Sequence, residues 1–96
     1  MDRNKIIQTM QSVLVRISVL TYQVRDLSDA EKYDSRRCIS DDIDAMDRFG
    51  IPWKVQNALF YTAKQNDCRC KYISDLLDAA AHRAGYSNMR QVIETC

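Results

Sequence analysis

A small all-α bundle of four to five helices, organised around a long N-terminal helix, is the fold that this sequence predicts. The first observation is an apolar repeat, Ile6, Met10, Val13, Ile17, Leu20, Val24 and Leu27, stepping by four and three along one helix face. The second is punctuation: one proline and two glycines leave too few turn signals for a sheet. The third is length. A chain of 96 residues makes a single helical domain over residues 1–96, with a modest core and no room for a large enclosed active site.

The first helix is expected from about Asn4 to Leu27, with Asp2 or Asn4 able to cap its free amides. A two-stranded coiled coil would flank this seam with charge, but the neighbours are Ile7, Leu14 and Thr21 on one side and Thr9, Arg16 and Gln23 on the other. The stripe is therefore wide enough to face a bundle. Val15, Val19 and Tyr22 recur at helical spacing on the opposite face, where a surface helix should be polar. Either the helix is central to its own bundle, or that second face docks a dimer mate or a host protein.

Ser28 followed by Glu31 has capping-box spacing and starts a second segment. Its stripe of Ala30, Tyr33, Ile39, Ile43, Met46 and Phe49 is irregular around Arg36 and Arg37, so a break is expected near Ser40, a good cap before Asp41 and Asp42. Gly50 fits the residue after a helix end, and Pro52 fits the first turn of a third helix that buries Val55, Leu59, Phe60 and Ala63. Asn66 and Asp67 offer a stop and a new cap before the stripe Cys70, Ile73, Leu77, Ala80 and Ala84. The apolar phase also nearly continues through Asn66, which leaves one long helix as the alternative. Gly85 closes this element, and a short helix from about Asn88 to Thr95 adds Met89, Val92 and Ile93.

A net charge of +1 gives no global nucleic-acid footprint. No stretch reaches the roughly 18 apolar residues of a membrane span, and MDRNKIIQTM lacks the apolar core of a signal peptide, so a cytoplasmic protein is expected. Cys38, Cys68, Cys70 and Cys96 are then expected as reduced thiols. On a helix the sulfurs of Cys68 and Cys70 would point about 200° apart, so they could share a zinc ion only from a loop. Cys38, Cys96 and His82 lie at no finger-like spacing to complete a set. No metal and no cofactor is expected, with Cys70 packing as a small hydrophobe and Cys68 exposed. His82 has Asp78 one turn before it, a pairing expected as a surface contact near a helix end rather than a catalytic dyad. Nucleophile elbows, phosphate-binding glycine loops and H-E-x-x-H pairs are missing, so no enzyme is expected.

Charge is unevenly spread. From Ser28 to Asp47 the acids Asp29, Glu31, Asp34, Asp41, Asp42, Asp44 and Asp47 face only Lys32, Arg36 and Arg37 as bases. Such a run is either a solvated helix face or an acidic patch that engages a basic, nucleic-acid-handling surface on a partner, with Asp41 and Asp42 as candidate contacts. The competing reading is DNA binding through a helix-turn-helix, since Ala81 to Gly85 followed by Ser87 has a turn-like spacing. Arg90 would be the only cation of its recognition helix, too few for phosphate contacts. In the corner Gly50, Ile51, Pro52 and Trp53, the tryptophan either plugs the bundle end or, with the corner exposed, anchors an interface. Exposure would also offer Pro52 to a prolyl isomerase.

The short helical chain, its mixed charge, its lack of catalytic residues and its N-terminus MDRNKIIQTMQSVL resemble the accessory anti-RecBCD proteins of P22-like phages. The resemblance implies a non-enzymatic inhibitor in the host cytoplasm that binds a RecBCD-like nuclease-helicase complex and alters its action in DNA recombination. Val15, Val19, Tyr22, Asp41, Asp42, Pro52 and Trp53 are the candidate contact residues read from the chain itself.

Overall fold

The computed structural model describes residues 2–96, apart from the side chain of Cys70. Five α-helices follow in order: α1 Arg3–Tyr22, α2 Asp29–Arg48, α3 Trp53–Gln65, α4 Ile73–Arg83 and α5 Met89–Glu94, with single 3-10 turns at Val24–Asp26 and Cys68–Cys70. No strand occurs among the described residues. The predicted all-α bundle with a long N-terminal helix is the fold observed.

Asp2 caps α1 by accepting the Asn4 amide at 3.0 Å. The helix ends at Tyr22, five residues before the expected Leu27, so Val24 falls in the 3-10 turn and Leu27 in the link. Ile6, Met10, Val13, Leu14 and Ser18 are its buried residues, and α1 packs against α2, α3 and α4. It is therefore the central helix of its own bundle.

The expected break near Ser40 does not occur, and α2 runs unbroken for 20 residues. Arg36 and Arg37 interrupt the apolar stripe only because they project into solvent, and a polar outward position does not end a helix. The capping box forms as predicted: Ser28 Oγ accepts the Glu31 amide, and Glu31 accepts the Ser28 amide, each at 3.1 Å. Met46 is the one α2 residue that is fully buried.

Gly50 ends this arm with φ +79°, the left-handed conformation that glycine adopts without steric cost. Ile51 then inserts into the core at 4 % exposure, while Trp53, the first residue of α3, stays 58 % exposed. The plug of the bundle end is thus Ile51. Phe60, expected in the core, is only half-buried.

Helices α3 and α4 are separate. Asn66 leaves helical geometry, and Asp67 starts the 3-10 turn by accepting the Arg69 amide at 3.0 Å. The expected packing of Cys70 lies outside the described residues. Gly85, with φ +95°, turns the chain into α5, whose start is capped by Asn88 accepting the Gln91 amide at 2.9 Å. Met10, Leu14, Leu59, Leu76, Leu77, Val92 and their neighbours form one continuous core. Removing a side chain such as Leu14 or Leu59 would cost about 2–5 kcal/mol.

Candidate functional site

Past the Gly50–Pro52 corner, α2 and α3 separate: both pack on α1 but scarcely touch each other. The opening is an apolar groove of 340 Å³ lined by Ile17, Leu20 and Thr21 from α1, Ile39 and Ile43 from α2, and Phe60 and Lys64 from α3. Ile17, Leu20, Ile39, Ile43 and Phe60 had the spacing of core residues, yet all five are only half-buried because no described helix closes this side. Trp53 extends the same face of α3 two turns earlier, edge-on to Phe60 with ring centroids 6.3 Å apart.

The corner that presents Trp53 is held from beneath by Gln56. This side chain is 1 % exposed, and its Nε2 donates to Asp47 Oδ1 at 2.8 Å and to the Ile51 carbonyl at 3.1 Å. Its Oε1 is buried with no partner among the described residues. One amide thereby ties the end of α2, the corner and the start of α3 together.

The sequence-predicted contact residues lie in several places. Val15 and Val19 are half-buried on α1, and Val15 lines a shallow depression with Gln11, Arg16 and Ile73 away from the groove. Tyr22 is 42 % exposed, and its hydroxyl donates to the Lys64 carbonyl at 2.8 Å, which fastens the end of α1 to the end of α3. Asp41 is exposed and lies 3.9 Å from Arg37, which also pairs with Asp34 at 2.7 Å. Asp42 is half-buried, with Oδ2 lacking a partner among the described residues. Pro52 is half-buried beside the buried Ile51, so Trp53 is the exposed large side chain of the corner. Of the seven, Trp53 reaches the apolar groove through its ring contact with Phe60, and Tyr22 through its hydrogen bond to the Lys64 carbonyl.

Asp78 does not face His82 as a dyad: its Oδ1 accepts the Met89 amide at 2.9 Å and so supports the start of α5, while His82 is exposed. Among the described residues no three His, Cys, Asp or Glu side chains are grouped to hold a metal ion. The Ala81–Ser87 corner leads into a helix of only six residues, of which Met89, Val92 and Ile93 are buried. Arg90, its single cation, pairs with Glu94 at 3.1 Å, and Arg3 lies 3.9 Å from the same carboxylate. The single cation of this short helix is thus paired, in an exposed position, with a carboxylate of its own helix.

No described helix is long and apolar enough to cross a membrane. No family model, no curated protein and no solved structure gives a significant match to this chain.

Proposed function

We propose that this chain is a non-enzymatic protein-binding module that receives an apolar, basic segment of its partner in the groove between α2 and α3. The observation that carries the reading is the open apolar groove continued by the exposed Trp53, since tryptophan is among the residues most enriched at the energetic centres of interfaces. The preference for a basic partner comes from the acidic run of α2 as a whole, where Asp29, Asp34, Asp41 and Asp44 are exposed, while the groove lining itself carries Lys64 as its charged residue. The resemblance to anti-RecBCD accessory proteins makes a RecBCD-like nuclease-helicase complex the partner of choice, and inhibition of its DNA processing the biological outcome.

The test is binding of the purified chain to a purified RecBCD-type complex, with Trp53→Ala and Phe60→Ser compared with the wild type. Trp53→Ala should weaken binding about thirtyfold, the effect of losing an anchor worth about 2 kcal/mol. Equal binding by both variants, or none by the wild type, would overturn the reading. Sedimentation of the chain alone separates this occupant from a second copy, because a dimer that buries the groove would dissociate in the same variants.

A further inference from the structure

Away from the groove, α3 and α4 meet along a second, shallow depression of 510 Å³ lined by Lys54, Asn57, Ala58, Tyr61, Arg83 and Ala84. Both of its cations are held on aromatic rings. The Arg83 guanidinium carbon lies 4.1 Å from the centroid of Tyr61, and Lys54 Nζ lies 4.9 Å from that of Tyr86. Neither cation has a carboxylate within ion-pair distance among the described residues, as is also true of Lys5, Arg16, Arg25, Arg36, Arg48, Lys64 and Lys71; what sets this pair apart is that both line one depression. No acid lines the depression, and the first turn of α3 contains none. The two positive charges are therefore left without local compensation.

The rings have a further effect. A free lysine or arginine on a surface loses about 2 kcal/mol of rotamer freedom when it grips a ligand. Stacking on Tyr61 and Tyr86 already restricts these two side chains, so less of that freedom is left to lose on binding. Guanidinium offers a planar fork of donors and ammonium a compact charge, a combination suited to an oxyanion with several acceptor oxygens. Asn57, exposed in the same lining, adds a neutral donor.

We infer that the Lys54–Arg83 depression binds a phosphate group. This site stands on a different face from the groove and does not rest on the partner proposed above. Inorganic phosphate, a nucleoside monophosphate and a single-stranded oligothymidylate present the same chemistry from three sources. NMR titration of the full chain with each, followed at the backbone amides, distinguishes them. Saturable shifts should appear at Lys54, Asn57, Tyr61 and Arg83, and Lys54→Gln or Arg83→Gln should each weaken binding about tenfold, the effect expected for one charge-assisted hydrogen bond. Response to all three probes identifies the phosphate group itself as the ligand; response to the oligonucleotide alone identifies a phosphodiester backbone. Lys5→Gln, a remote and exposed lysine, should leave the titration unchanged. The inference is overturned if no probe gives saturable shifts, if the Lys54→Gln Arg83→Gln double variant binds like the wild type while its circular dichroism is unaltered, or if Lys5→Gln weakens binding equally.

Discussion

Ser18 Oγ donates to the carbonyl oxygen of Asn66 at 3.1 Å across 48 residues of chain, and the same hydroxyl accepts the Cys68 amide at 3.0 Å. One fully buried side chain of α1 thus satisfies two backbone groups in the link between α3 and α4. An apolar residue at this position would keep the helix stripe intact and leave both groups unpaired.

Ser18→Ala is therefore expected to destabilise the fold by about 1–3 kcal/mol, the desolvation cost of stranded backbone partners. Urea unfolding checks this as a lower midpoint with an unchanged slope. A midpoint equal to that of the wild type would mean that water replaces the hydroxyl at no cost.

Gln56→Glu should be more damaging than its size suggests. The substitution replaces a donor with a carboxylate that faces Asp47 Oδ1 and the Ile51 carbonyl in a site 1 % exposed. A buried charge left without a partner costs about 3 kcal/mol. Stability should recover partly on acidification, because protonation restores a donor, and a variant as stable as the wild type at neutral pH would contradict this account of the corner.

The start of α2 should loosen in acid. The Ser28 amide, and then its hydroxyl, hold the Glu31 carboxyl below its usual range, and Arg37 does the same to Asp34. A carboxyl with a lowered folded pKa binds fewer protons folded than unfolded. Its contribution is present above the unfolded value, about 4, and is lost as pH falls through the lower folded value. Far-UV circular dichroism should report a decline in helicity over that window, and Glu31→Gln should flatten its capping-box part. An acid profile unchanged by Glu31→Gln would place the transition elsewhere.

Much of the fold was legible because local chemistry and packing agree. Ser28 and Glu31, Gly50 and Gly85, and Asn88 each do in space what their residue types favour. The misreadings at Ser40 and Phe60 share another cause. Periodicity reports which residues lie on one face of a helix but does not report whether a neighbour covers that face. Arg36 and Arg37 looked like an interruption when they were only outward, while Ile39, Ile43 and Phe60 looked like core when they were the walls of an opening. Lys54 and Arg83 gave no signal along the chain, because 29 residues separate two cations that the α3–α4 packing brings to one depression.

The divergence of α2 from α3 also divides the molecule energetically. A 20-residue arm that contributes only Met46 to the fully buried interior returns little apolar surface per residue, whereas α3 contributes Val55, Ala58 and Leu59 together with Ala63. Backbone amides along α2 should then exchange with solvent through a partial opening that leaves α1, α3 and α4 assembled, well below the free energy of complete unfolding. Uniform protection across α1, α2, α3 and α4 would show instead a single cooperative unit. In the first case the protein is a three-helix foundation with a detachable arm, and loss of order in that arm is a separate event from denaturation.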